Sequence, residues 1–187
     1  EHDIVYLENS AQANNILANF SIIKSRETQD PLERKKYLNQ SIRHFSKACQ
    51  IYPDFFNARY NLGRAYEDAG QLDNALKAYQ KTLDIKPEFS NAMIKIANIY
   101  EKKNQLHKAI PFYEEALKYR NEKLKIYTSL SFAWYRLGNY QKAIEVNQRA
   151  LRDYPNSFDP LSNTAKIYLK MGDIDNAISY FEAAFKV

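Results

Sequence analysis

A 34-residue period runs through this chain without a gap, and a period of that length constrains the fold more tightly than any other feature of the sequence. The segment from Tyr60 to Tyr66 recurs from Ile94 to Tyr100, from Thr128 to Trp134 and from Ser162 to Tyr168. Downstream, Ala75, Ala109, Ala143 and Ala177 keep the same step, followed by Leu83, Leu117, Leu151 and Phe185. A unit of this size is one supersecondary motif. It cannot bury its apolar face alone and must stack on its neighbours.

Within each unit the spacing predicts two amphipathic helices. In the first, Leu62 and Tyr66 lie four apart on one face. Gly63 between them leaves room for a neighbouring helix, and Ala97, Ser131 and Ala165 keep that slot small. Gly70, Gly138 and Gly172, with Asn104 in the remaining copy, fall where the helix must end and the chain reverse through a left-handed residue. Asp73 and Asp173 then suit the positive start of the second helix. In that helix Ala75, Tyr79, Thr82 and Leu83 form the expected buried stripe, and Pro87 and Pro155 end it. The expected core includes Leu62, Tyr66, Tyr100, Trp134, Tyr168, Ala109 and Ala143.

A fifth copy stands at the N-terminus. Ser41, Phe45, Ala48, Cys49 and Pro53 lie 34 residues before Ala75, Tyr79, Thr82, Leu83 and Pro87, which puts Cys49 in a core leucine slot. Its partner helix is expected from Leu7 to about Arg26, carrying Ile16, Leu17, Phe20 and Ile23. Asp30, Pro31 and Glu33 read as an N-cap, a first-turn proline and the acid of a capping box. Both helices of this copy are expected to be longer than in the others, either as a cap on the array or as a protrusion that a partner uses.

The pattern resembles the tetratricopeptide repeat (TPR) family, whose motif runs from a large residue through Leu-Gly, Tyr, a small residue, an aromatic and an Ala to a final Pro. Leu62, Gly63, Tyr66, Gly70, Ala75, Tyr79, Leu83 and Pro87 match it. Arg59, Asn121 and Asn147 depart from it, the last replacing a buried aromatic and leaving a polar or looser spot; Pro111 falls early in a second helix. The resemblance implies an all-α, right-handed superhelical solenoid of ten helices in about five repeats. Its divisions are an extended first repeat over 1–55, repeats over 56–89, 90–123 and 124–157, and a repeat over 158–187 that is cut short. The chain starts at Glu1 without a Met and stops within a second helix, so it reads as a piece of a longer protein.

The function classes that composition and motifs argue against are several. His2, His44 and His107 are scattered through unrelated phases of the repeat. Metal-ligand spacing, a phosphate loop and a nucleophile elbow are all missing, so neither catalysis, a metal nor a cofactor is expected. The net charge of +5 is mild and its longest basic run is Arg34-Lys35-Lys36, which argues against nucleic acid as partner. No apolar run approaches the roughly 20 residues of a membrane helix. The residues from Tyr6 to Ala13 are similar to the junction preceding TPR tails in some multi-span membrane proteins. The compartment therefore stays open between the cytoplasm and an extracytoplasmic soluble tail.

In the TPR family the first helices line a concave groove, which implies a protein or peptide partner. The faces left over from the buried stripe are Asn57, Tyr60, Asn61, Arg64 and Glu67; Asn91, Ile94, Lys95, Asn98 and Glu101; Lys125, Thr128, Ser129, Phe132 and Tyr135; and Asp159, Ser162, Asn163, Lys166 and Leu169. Asparagine amides can clamp an extended backbone. Arg64, Lys95, Lys125 and Lys166 favour an acidic segment. Phe132 and Tyr135, three apart, stand out as an aromatic patch in slots that are otherwise mostly polar. Arg64, Lys95 and Ser129 do not reproduce the carboxylate clamp of the chaperone-binding members. A second reading is a structural or oligomerisation module whose open ends or long N-terminal helices pack on another copy.

Overall fold

The computed structural model describes residues 10–187. The expected helix start at Leu7, the Tyr6–Asn9 part of the N-terminal junction and His2 lie outside the described residues. Among those described there are ten helices and no strand. They are α1 (Ala11–Glu27), α2 (Pro31–Ile51), α3 (Phe56–Asp68), α4 (Leu72–Ile85), α5 (Ser90–Lys102), α6 (Leu106–Tyr119), α7 (Leu124–Arg136), α8 (Tyr140–Asp153), α9 (Phe158–Met171) and α10 (Ile174–Phe185). The chain divides into two compact units, Glu1–Ala92 and Met93–Val187. In the first, α1 packs on α2, α2 on α3 and α3 on α4; in the second, α6 packs on α7, α7 on α8, α8 on α9 and α9 on α10.

The reversals inside the helix pairs are built alike because the same backbone geometry recurs. Gly70, Asn104, Gly138 and Gly172 have φ of 73°, 56°, 75° and 80°. The following amide reaches back to the carbonyl of the periodic aromatic: Gln71 to Tyr66 at 2.8 Å, Gln105 to Tyr100 at 2.8 Å, Asn139 to Trp134 at 3.0 Å and Asp173 to Tyr168 at 3.0 Å. This is the helix-ending bond that satisfies an otherwise orphaned carbonyl. Asp173 then caps α10 by accepting from the Asn176 amide at 3.2 Å, while Asp73 sits in the first turn of α4. The α6 helix continues through Pro111.

The second helices supply the deepest core. Ala75, Ala109 and Ala143 are fully buried, as are Tyr79, Thr82, Tyr113 and Phe45. Fully burying one large side chain such as Phe45 contributes about 1.5–3 kcal/mol. Cys49 is buried in the leucine slot that the period assigns to it.

Three expectations change. Tyr66, Tyr100, Trp134 and Tyr168 are half-buried rather than core. They end their helices beside the reversal, where neighbours cover only one side. Tyr100 stacks on Phe112 at 6.0 Å and Tyr168 on Tyr180 at 5.6 Å, while Lys142 Nζ lies 4.3 Å from the Trp134 ring centroid. The capping box of α2 is relayed: Asp30 accepts from the Leu32 amide at 2.8 Å, but Glu33 accepts from the Thr28 hydroxyl at 2.8 Å, which in turn accepts from the Asp30 amide at 3.2 Å.

The third change is the largest. In α1 the apolar residues Ile16, Leu17, Phe20 and Ile23 are exposed, and the buried ones are Ala11, Asn14, Ala18, Ser21 and Ser25. The small face lets α1 approach α2 closely. Its hydroxyls are satisfied by their own helix, Ser21 donating to the Leu17 carbonyl at 3.0 Å and Ser25 to that of Ile22 at 2.7 Å. Asn14 Oδ1 lies 3.1 Å from His44 Nδ1 of α2.

Candidate functional site

The first helices carry every residue expected in the groove, and the structure treats them unequally. In the first unit Asn57 and Arg64 are exposed. Tyr60 is half-buried in an aromatic cluster, 5.5 Å from Tyr79 and edge-on to Phe89 at 5.1 Å, with Lys86 Nζ 4.9 Å from the Phe56 centroid. Asn61 and Arg64 share a narrow cleft with Asn19 and Arg26 of α1, Phe45 and Asp68. Arg26 and Asp68 pair across it at 3.7 Å. Asn91 is half-buried.

In the second unit Lys95 and Asn98 are half-buried and Lys125 is exposed. Asn98 is already engaged. The Tyr113 hydroxyl lies 2.7 Å from Asn98 Oδ1 and 2.7 Å from Glu101 Oε2. Ser162, expected on the open face, is buried.

Four of the expected residues meet in one place. Phe132 and Tyr135 of α7 and Asn163 and Lys166 of α9, with Ser131 and Ile167, line an apolar cleft of about 210 Å³. Phe132 is 46% exposed, and the Arg136 guanidinium lies 5.7 Å from its centroid. Arg136 is itself held by Asn104 Oδ1 at 2.6 Å. The Tyr135 ring lies 5.6 Å from that of Tyr140. The cleft therefore has an aromatic wall, an aliphatic base at Ile167 and a cation at Lys166.

One pair of slots, 12 residues apart, differs between the copies. In the first of these copies the Tyr79 hydroxyl donates to Glu67 at 3.1 Å, and in the next Tyr113 meets Glu101, both 12 residues earlier. Burial raises both phenol pKa values, and the neighbouring carboxylate raises them further. The third copy has Tyr135 and Asn147 in those slots, and the fourth Leu169 and Phe181. The phenol has moved from the second helix to the first. Asn147 is 1% exposed, and neither atom of its amide has a hydrogen-bond partner among the described residues. Sequence reasoning marked Tyr135 and Asn147 separately and missed that they change together; the 12-residue offset carried the signal. It also missed Ser131 and Ile167, which belong to the small and aliphatic slots of the buried stripe.

Tetratricopeptide repeat models match residues 54–122, 94–158 and 161–187. Among curated proteins none matches. Solved structures do. The chain is similar to YrrB, described as a TPR protein with an unusual peptide-binding site, at 16% identity over 99% of this chain and 90% of that one, TM-score 0.74. It is similar to the MamA protein at 18% identity over 91% of each chain, TM-score 0.73. The likeness extends to MamA from Desulfovibrio magneticus RS-1, at 18% identity over 90% of this chain and 93% of that one, TM-score 0.70. At these identities the likeness concerns the fold.

Proposed function

The chain belongs to the tetratricopeptide repeat family, and from that premise we propose that it is a protein-interaction scaffold that receives an extended partner segment along its first helices. The observation that carries this reading is the cleft at Phe132, Tyr135, Asn163 and Lys166. An exposed phenylalanine beside a cation and an amide is the composition of a binding hot spot, an apolar centre ringed by polar groups. A peptide-binding site is also described for one similar structure, YrrB.

The same surface favours an acidic segment. Lys166 lines the cleft, Arg136 covers the Phe132 ring and Lys125 is exposed one turn or more earlier on α7. A carboxylate beside the inserted side chain would meet Lys166, and its contribution would fall with added salt. Asn57, Asn61 and Arg64 in the first unit, and Lys95, Asn98 and Lys125 in the second, are the further recognition residues of this reading, each set within its own unit. The repeat limits of this reading are those read from the period. No enzyme activity, cofactor or metal enters it, and no described helix is long and apolar enough to cross a membrane.

The test is Phe132→Ala, with partner capture and thermal stability measured together. Because Phe132 is 46% exposed, the expected result is lost capture with a melting temperature lowered by no more than about 4 °C, about 1 kcal/mol in a chain of this size. Capture that survives the substitution, or a collapse of stability, overturns the reading.

A second reading, an oligomerisation module, is favoured by a different observation. Apolar side chains are exposed on the outer helices, with Ile16, Phe20 and Ile23 on α1 and Ile174, Ile178 and Phe185 on α10.

A further inference from the structure

We infer that Asn104, in the reversal between α5 and α6, is a positioning residue of the α7/α9 cleft: its side chain holds Arg136 against the Phe132 ring and so sets the aromatic wall before a partner arrives. This rests on the peptide-binding reading above and adds a residue that acts from outside the cleft.

The first argument is what the turn itself requires. Among the described residues Asn104 is the one non-glycine with positive φ, at 56°, where the other helix pairs reverse through Gly70, Gly138 and Gly172. Backbone bonds close the turn: the Gln105 amide donates to the Tyr100 carbonyl at 2.8 Å and the Asn104 amide to that of Glu101 at 2.9 Å. Glycine would make the same bonds and enter the left-handed region more readily. A Cβ added at Gly70, Gly138 or Gly172 would meet nothing within 4 Å. The side chain of Asn104 does have a partner, its Oδ1 accepting from Arg136 Nη2 at 2.6 Å.

The second argument is where that bond leads. The Arg136 guanidinium lies 5.7 Å from the centroid of Phe132, one turn earlier on α7. Phe132 lines the cleft and Arg136 does not, so the guanidinium backs the ring from outside. A planar guanidinium can donate along its edge and stack through its face at once, which an ammonium cannot. Phe132 is 46% exposed, and a ring so open exchanges between rotamers unless a neighbour fixes it. A wall fixed in advance takes an ordering cost out of binding.

The third argument is the register. Phe132 stands where the other copies have Arg64, Asn98 and Lys166. Arg136 stands where they have Asp68, Lys102 and Lys170, and Asn104 where they have Gly70, Gly138 and Gly172. Three departures from the period, one of them in a different helix pair from the other two, form one connected row of contacts.

The experiment uses the whole 187-residue chain labelled with ¹⁵N. In the free chain the Arg136 Nε–H signal should exchange slowly with water, and in Asn104→Gly it should move to the position of a freely solvated arginine. A signal that Asn104→Gly leaves unchanged overturns the inference before any ligand is added. The binding probe is the capped pentapeptide Gly-Asp-Phe-Asp-Gly. Asn104→Gly is expected to raise its dissociation constant about two- to tenfold, the effect of having to order one rotamer-rich side chain on binding. The melting temperature should stay within about 2 °C, because glycine is the usual residue of this turn. Undiminished binding in Asn104→Gly would leave the residue a turn former only and overturn the inference. Arg136→Lys keeps the charge and should lose affinity as Asn104→Gly does; binding at full strength would make Arg136 a charge and nothing more. Asn104→Asp should bind the neutral peptide Gly-Asn-Phe-Asn-Gly as the unmodified chain does, since a carboxylate accepts the same bond. A loss equal to that of Asn104→Gly would overturn the inference as well.

Phe132→Ala separates this from the wider reading. If it abolishes binding of Gly-Asp-Phe-Asp-Gly while Asn104→Gly does not change it, the cleft stands and Asn104 has no part in it. If the peptide ignores Phe132→Ala, or does not bind the unmodified chain, both fall.

Discussion

At Gly63 a side chain has no place to go. Its Cβ would lie 2.5 Å from Tyr79 Cε1, and Tyr79 is fully buried and braced by Tyr60. Gly63→Ala gains about 1 kcal/mol of helix propensity and loses about 1–3 kcal/mol to overpacking. A net loss of about 1 kcal/mol is expected in a urea titration, and a stabilised variant would show that the ring can yield. Tyr79 and Tyr113 predict an alkaline limit as well. Their pKa values are raised in the folded chain, first by burial and then by Glu67 and Glu101. Their contribution is complete below the unfolded phenol value near 10 and is lost as pH rises past it, because the unfolded state then releases protons that the folded state keeps. The expected slope is about 1.4 kcal/mol per pH unit for each tyrosine, and denaturation at pH 9, 10 and 11 should show it diminished in Tyr113→Phe. The slots of Gly63, Ala75 and Cys49 were legible in the sequence because a 34-residue period fixes which positions face inward. The depth of Tyr66 and Trp134 was not, because a period assigns a face and does not say how far the neighbouring helix extends over it.

Among the elements, α1 shows that limit most clearly. Its apolar residues follow helical spacing, and that spacing identifies a helix with two unlike faces. Which face the rest of the chain covers depends on the partner helix. Here α2 offers Leu38, Ser41, Phe45 and Ala48, and it accepts the small face of Ala11, Asn14, Ala18 and Ser21. The cap of α2 was legible down to its first-turn proline, while the role of Thr28 was not. A relay through a residue two positions before the cap has no fixed spacing to read. Asp30→Ala should cost about 1 kcal/mol, the usual worth of an N-cap, measured by thermal melting. Thr28→Val should cost part of that, because it removes the link between Glu33 and the Asp30 amide. If Thr28→Val changes nothing, Glu33 reaches the cap directly and the relay is dispensable. The binding cleft was half legible for a related reason. Phe132 differs visibly from its counterparts Arg64, Asn98 and Lys166, whereas Ser131 and Ile167 look like ordinary members of the buried stripe.

For the molecule as a whole, the outer helices raise the question of what a second copy would do. On α10, Ile174, Ile178 and Phe185 are 51%, 52% and 84% exposed. Two periods earlier Leu106, Ile110 and Leu117 are buried, at 5%, 7% and 4%, and one period earlier Ile144 is buried at 3% while Tyr140 and Leu151 are half-buried. Those counterparts lie on α6 and α8, on which α7 and α9 pack. The exposed stripe of α1, Ile16, Phe20 and Ile23, is a first-helix face of matching character. Charge points the same way. Residues 11–51 hold Lys24, Arg26, Arg34, Lys35, Lys36, Arg43 and Lys47 against Glu27, Asp30 and Glu33, a net of 7 − 3 = +4, whereas residues 158–187 hold Lys166, Lys170 and Lys186 against Asp159, Asp173, Asp175 and Glu182, a net of 3 − 4 = −1. A contact of α10 on one copy with α1 on another is heterologous, so each chain has one donor face and one acceptor face. The oligomerisation reading then predicts a molar mass by light scattering that rises above 21.9 kDa with concentration. Phe20→Glu alone and Ile178→Glu alone should each hold the chain at the monomer mass, since each leaves one good face with no match among its own kind. Mixing the two variants should restore one contact and stop at the dimer, the intact α10 of the first meeting the intact α1 of the second. A mass fixed at the monomer for the unmodified chain, or a mixture that stays monomeric, would remove these faces from the oligomerisation reading and leave the cleft as the working surface.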